Sequence, residues 1–223
     1  IGLFSKKVIA GNIDVIDQDE FYALESEVVI TEDDGFAEQF FDEFKKYIKS
    51  NQIEDVHDEF DRFRILSGTK NLKYGVYERN KRLETYLGLN AQNELFYHNQ
   101  PLMITKNDKQ LEIYNGDTGI VRKNDQGKYL LHLKGRKGIP VALLSDFETA
   151  FATTIHKSQG SDYGTVLIYI PEHSQRLLSR ELIYTAVTRA KNKAVIFGKN
   201  EVLKKAVAQR VKRASGIEER LKA

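Results

Sequence analysis

The 223-residue chain has no cysteine, no tryptophan, one methionine and three prolines. Without cysteine it can form neither a disulfide nor a cysteine-ligated zinc site. Its five histidines, at 57, 98, 132, 156 and 173, are too scattered for a local metal motif, so no metal site is expected. No run of 18 apolar residues occurs, and the opening IGLFSKKVIAGN lacks the long apolar stretch and small-residue cleavage site of a secretory signal. A cytoplasmic setting, with no membrane partner, is the expectation. The phosphate-cradling pattern G-x-x-x-x-G-K-[ST] is also missing: the Gly-Lys pairs, Gly127-Lys128-Tyr129 and Gly198-Lys199-Asn200, do not fit it. No acidic pair stands out as a Walker B site or a nuclease metal cluster.

What is present is enough apolar material for a core, at 41% hydrophobic and 10% aromatic, in a length that suits one large domain or two small ones. The net charge of +2 hides an asymmetry. Residues 1–100 hold 12 Lys and Arg against 20 Asp and Glu, while residues 101–223 hold 22 against 12. A basic half of that size suits a polyanionic partner, since each neutralised phosphate releases counterions. It equally suits a solvated basic surface opposite an acidic one.

Along the chain, Val28-Val29-Ile30 precedes acidic cap residues that open a predicted helix over 35–50, with Phe36, Phe40, Phe44 and Tyr47 on its core face. A strand at 62–66 and a helix over 76–87 follow. Between about Gln100 and Phe147 the pattern changes to short apolar runs separated by Asn-Gly and Gly-Arg-Lys-Gly turn signals, a small antiparallel β module. The unbroken run TVLIYI then reads as a strand buried on both faces. A helix over 179–191, a strand at 194–197 and a basic helix over 200–213 complete the chain. Alternating strands and helices imply a mainly parallel sheet with helices on both sides, interrupted by a β-rich insertion. Tyr77, Tyr86, Phe96 and Tyr97 could stack on bases, but core packing is the expected role.

Two segments carry chemistry. In TTIHKSQGSD, residues 153–162, Thr154 can cap a single helical turn bearing His156, Lys157 and Gln159, and Gly160 can close it before the next strand. Such a turn gathers backbone N–H groups, a hydroxyl, an amide and an ammonium. Phosphate binding, a plain connection between elements and acid–base work by His156 all remain open. In RELIYTAVTRAK, residues 180–191, Leu182, Ala186 and Ala190 form an apolar stripe, while Thr185, Thr188 and Arg189 share another face. Arg189 can project toward a ligand, or it can satisfy the last carbonyls of its helix.

Taken together, TIHKSQGSD and RELIYTAVTRAK resemble motifs V and VI of superfamily 1 DNA helicases, in the spelling of the RecD type found in exodeoxyribonuclease V. The resemblance extends to FRILSGTKNLKYGVYERNKRLETYL around motif IV, to PLMITKNDKQLEIYNGDTGIV, to IGLFSKKVIAGN after motif III and to the tail SGIEERL. It implies a RecA-like parallel sheet over residues 1–110 and 148–223, with an SH3-like β insertion at 111–147. It implies that Arg189 is an arginine finger, and that Gly160, Asp162 and Lys70 face the nucleotide, Asp162 standing where the family usually has glutamate. It further implies that Thr105, Asn107, Thr154, His156 and Ser158 contact single-stranded DNA.

With no P-loop of its own, the chain is expected to be the C-terminal motor domain of a longer ATP-dependent helicase moving 5′ to 3′ in double-strand break repair. ATP and Mg2+ would bind the full-length protein, the N-terminal motor domain would complete the site, and RecB- and RecC-like subunits would be partners. The domain by itself is expected to hydrolyse nothing. A stand-alone RecD-like or relaxase-type helicase, or an isolated nucleic-acid-binding module, are the alternatives.

Overall fold

The computed structural model describes residues 1–50, 52–90, 93–172 and 178–211. The first half contains α1 (Gly2–Ala10), β1 (Val28–Thr31), α2 (Asp34–Glu38), α3 (Phe44–Lys49), α4 (Ile53–Asp61), β2 (Phe63–Ser67) and α5 (Val76–Tyr86). Then come β3 (Pro101–Ile104), β4 (Thr118–Lys123), β5 (Tyr129–Leu133), β6 (Ile139–Pro140) and β7 (Phe147–Thr149). The chain continues with β8 (Ala152–Thr154), β9 (Tyr163–Tyr169), α6 (Arg180–Val187), β10 (Ala190–Phe197) and α7 (Asn200–Ala208).

Strands β1, β10, β9, β2 and β8 form one sheet in that order, and every pairing is parallel. The middle strand, β9, carries the apolar run because both of its faces are covered. Val166 and Ile168 join a core with Phe4 of α1, Ile183 of α6 and Leu203 of α7. Leu167 and Tyr169 join another with Phe44 of α3, Phe60 of α4 and Leu83 of α5. A strand sandwiched between helical layers has no wet face, so the period-2 alternation of a half-buried strand disappears. Helices thus cover both faces of a parallel sheet, and a separate antiparallel sheet, β6-β5-β4-β3-β7, provides the expected insertion.

The small sheet extends beyond the 111–147 limits implied by the resemblance and follows instead the span from about Gln100 marked by the turn signals. β3, beginning at Pro101, lies between β4 and β7 and is buried along its whole length, so its sequence PLMI resembles a strand of the large sheet. The helix expected over 35–50 is divided by a 3₁₀ segment at Gln39–Glu43. Its buried positions, Ala37, Phe41, Phe44 and Tyr47, are spaced more tightly than the 3.6-residue α repeat, and the 3₁₀ segment supplies the overwinding. Phe36 and Phe40 are only half-buried and pack edge to face on each other, with centroids 5.9 Å apart.

α6 ends at Val187 and not at 191, because Ala190 is drawn into register with Tyr163 at the start of β9. Tyr97 is buried and Phe96 packs on the small sheet, but Tyr77 and Tyr86 are exposed, contrary to the expected core role. The inner face of α5 belongs instead to Val76, Arg79, Asn80 and Leu83. α7 ends at Ala208, where Gln209 turns extended, short of the expected 213; residues 212–213, the tail SGIEERL and His173 lie outside the described residues. Among the described residues, no helix is long and apolar enough to cross a membrane.

Candidate functional site

The turn joining β8 to β9 crosses the sheet. Thr154, at the C-terminal end of β8, is level with Ser67 of β2, which is level with Tyr169 of β9. The turn leaves at that edge and re-enters at Tyr163, six strand residues away, so it spans roughly 20 Å. Its first half is one tight helical turn. The Thr154 hydroxyl oxygen accepts from the Lys157 N–H at 3.3 Å, the capping role its sequence position suggests, and the Thr154 carbonyl accepts from the Ser158 N–H at 3.1 Å. Ser158 is fully buried and its hydroxyl donates to the Ile155 carbonyl at 2.7 Å, so it secures the turn from inside and offers nothing to a ligand. His156 is exposed.

Gly160 closes this turn at φ +92°, in the region that side chains disfavour. A Cβ there would meet no atom within 4 Å, so glycine is required for its backbone and leaves an open face. Beyond it, Asp162 lies directly before β9 and Arg189 directly before β10. These neighbouring parallel strands hold the two residues together, and the Tyr163 N–H donates to the Arg189 carbonyl at 2.8 Å. Arg189 Nη1 donates to Asp162 Oδ1 at 3.1 Å and to the Ser161 carbonyl at 3.0 Å, while Nε donates to the Thr185 carbonyl at 3.3 Å. The guanidinium therefore does two jobs: it caps α6 and it faces the turn. Nη2 makes no hydrogen bond among the described residues.

The opposite edge carries a different group. Lys70 follows β2, in a loop tightened by Gly75, where a Cβ would stand 2.7 Å from the Lys70 carbonyl oxygen. Lys70 Nζ donates to Glu148 Oε2 of β7 at 3.2 Å, and Lys157 Nζ donates to Glu148 Oε1 at 2.6 Å. Glu148 holds the Lys70 ammonium above its ordinary pKa by that hydrogen bond. Lys70 is thus not brought to Gly160, Asp162 and Arg189; it belongs with Lys157 at the far end of the turn. Thr105, directly after β3, donates its N–H to the Asp146 carbonyl at 2.9 Å and lines the same depression as Lys70 and Glu148. The side-chain oxygen of Asn107 accepts from the Asn115 N–H at 2.7 Å, so that amide is engaged in shaping its own loop.

Residues 149–197, which take in the turn, α6, Arg189 and β10, match the model of the UvrD-like helicase C-terminal domain. The chain is 39% identical over 167 residues to the RecBCD enzyme subunit RecD of Mycobacterium tuberculosis, a match covering 72% of this chain and 29% of that protein. Over that stretch the chain is a homologue of the RecD subunits. This RecD homologue is also 36% identical over 121 residues to the ATP-dependent RecD2 DNA helicase of Deinococcus radiodurans, covering 53% of this chain and 17% of that one. The solved structure of Bacteroides Pif1 bound to ssDNA aligns over 74% of this chain and 49% of its own, with 14% identity and a TM-score of 0.44. The homologue spans less than a third of the length of the RecD subunits it matches.

Sequence reasoning missed Glu148 and Arg64. Glu148 is one of two acidic residues in the stretch 143–160, the other being Asp146, and that isolation was the available signal. Arg64 is 2% exposed, donates to the Ala150 carbonyl at 2.7 Å and lies 3.9 Å from the Phe60 ring centroid and 4.7 Å from that of Tyr163. It packs on the ring of Tyr163, the first residue of β9 and the one after Asp162. In the sequence it is merely a charge inside the apolar stretch FRIL.

Proposed function

We propose that the chain is the C-terminal motor domain of an ATP-dependent DNA helicase that moves 5′ to 3′ along single-stranded DNA. The parent protein would act as an exodeoxyribonuclease V alpha chain in double-strand break repair, in the cytoplasm, with RecB- and RecC-like subunits. The observation that carries this reading is the turn at 155–162, which spans the sheet from Thr154 to the Asp162–Arg189 pair. One short covalent segment can therefore register a nucleotide at one edge and a strand at the other.

At the nucleotide edge, Gly160 offers an unobstructed backbone and Arg189 a cation with donors to spare, a donor set that suits a terminal phosphate. ATP bound by a preceding domain would supply the phosphoanhydride whose cleavage drives movement. Arg189 would meet the charge that develops on the transferring phosphoryl group, and Asp162 would release it to do so. Mg2+ would be held by the domain bearing the P-loop, as such ions are. At the strand edge, Thr154, His156 and Thr105 sit where backbone phosphates can be followed. Lys70 joins this group in place of the nucleotide group, Ser158 serves by fixing the turn, and Asn107 by fixing its loop.

The reading is tested by strand displacement with the full-length protein. It predicts ATP-dependent unwinding of a duplex with a 5′ overhang and little unwinding of one with a 3′ overhang, while the 223-residue chain alone turns over no ATP. The reverse polarity, or ATP turnover by the chain alone, would overturn it.

A further inference from the structure

The ion pairs around Glu148 do not resemble ordinary surface pairing. One carboxylate, with its side chain 13% exposed, receives an ammonium on each oxygen from two separate elements, the loop after β2 and the turn after β8. It projects from a third element, β7 of the small sheet. Two convergent cations around one anionic group form the geometry in which a phosphate is clamped. Lys70 and Glu148 open onto a broad depression of about 670 Å³ lined also by Tyr77, Asn80, Gln100 and Thr105, with Lys157 reaching Glu148 from outside that lining. Tyr77 is 52% exposed, with Lys70 Nζ 5.9 Å from its ring centroid, so an aromatic face is available beside the cations. The other charged groups of that wall are Lys81, Glu84 and Glu94; Glu84 already accepts from the Tyr97 hydroxyl and Glu94 from that of Tyr129.

We propose that Lys70 and Lys157 form a phosphate-binding clamp for single-stranded DNA and that Glu148 occupies it in the free protein as an internal competitor. The inference rests on the strand-edge reading given above. An incoming backbone phosphate takes both ammonium groups from Glu148, which then turns to solvent. Because Glu148 belongs to the small sheet and Lys157 to the crossing turn, each exchange loosens or restores a tie between the insertion and the segment that faces the nucleotide. A strand held this way is released readily, as a translocating protein requires.

The test is fluorescence anisotropy of a labelled oligothymidylate with the 223-residue chain over a salt series. Glu148→Gln, which is isosteric, is expected to tighten binding about tenfold at 0.1 M salt and to steepen the dependence of log K on log salt by about 0.7 for each cation released. Lys70→Met with Lys157→Met is expected to abolish that gain in the Glu148→Gln background and to weaken binding about tenfold less in the native one, a non-additivity that a merely structural ion pair would not produce. Thermal melting confirms that each variant is folded. Binding by the native chain that Glu148→Gln leaves unchanged or weakens overturns the competitor while the strand edge stands. Failure of the native chain and every variant to bind overturns the strand edge itself and the clamp with it.

Discussion

Arg189 and Asp162, 27 residues apart in the chain, are joined by a hydrogen bond of 3.1 Å from Nη1 to Oδ1, and the same nitrogen bonds the Ser161 carbonyl. The pair is partly open, with Arg189 20% and Asp162 53% exposed at the side chain. An ion pair in that setting contributes little to stability, typically under about 1 kcal/mol. Asp162→Asn should therefore leave the thermal midpoint of the chain within a few degrees of native. A large drop would mean that the pair is structural and not poised for release.

Gly160 is held at φ +92° with open space around it, so its role is conformational. Gly160→Ala should cost about 1–2 kcal/mol, the strain of a left-handed backbone with a Cβ. Ser158→Ala, which removes the buried hydroxyl bond to Ile155, should cost about 1 kcal/mol. Urea denaturation of both variants measures these values, and a stabilising Gly160→Ala would contradict the conformational argument.

Much of the architecture was legible because it rests on apolar periodicity. TVLIYI announced a strand covered on both faces, and the turn signals after Gln100 announced the antiparallel sheet. α1 and α4 were not legible. Among the described residues each buries only a pair of apolar side chains at i, i+4, Phe4 with Val8 and Val56 with Phe60, too short a pattern to separate from loop. At the site, the pairing of Asp162 with Arg189 follows from two adjacent parallel strands, an adjacency that neither motif gives by itself. The position of Lys70 does not: nothing local in LSGTKNLKYG reports that its nearest carboxylate is 78 residues away on another sheet. Ser158 shows the same limit, since a hydroxyl turned inward and one turned outward read identically in a sequence.

Arg64 is buried among aromatic rings and the Ala150 carbonyl, and its loss leaves both a cavity and an unpaired acceptor. Arg64→Ala should destabilise the fold by about 3 kcal/mol or more, and Arg64→Met, which preserves packing volume, by less. Chemical denaturation separates the two, and equal losses would assign the whole effect to charge.

Glu38 accepts two hydrogen bonds of 2.7 Å from Arg82, which hold its carboxyl below the ordinary 4.5. The folded state thus favours the carboxylate: its contribution is complete above about pH 4.5 and is lost as pH falls through the lower folded value. Asp34 acts in the opposite sense, since burial pushes its carboxyl up and protonation relieves that cost. Glu38→Gln should flatten the decline of the thermal midpoint below pH 4.5. A decline as steep as that of the native chain would contradict the assignment.

The most direct measurement is DNA-stimulated ATP hydrolysis by the full-length protein carrying Arg189→Ala, with nucleotide affinity determined in parallel. The account predicts that turnover falls by about 10³-fold or more, the scale of an arginine finger, while nucleotide affinity changes only a few-fold. Arg189→Lys should fail nearly as badly, because a single ammonium cannot replace a planar fork. Hydrolysis near the native rate in Arg189→Ala would contradict the account at its centre.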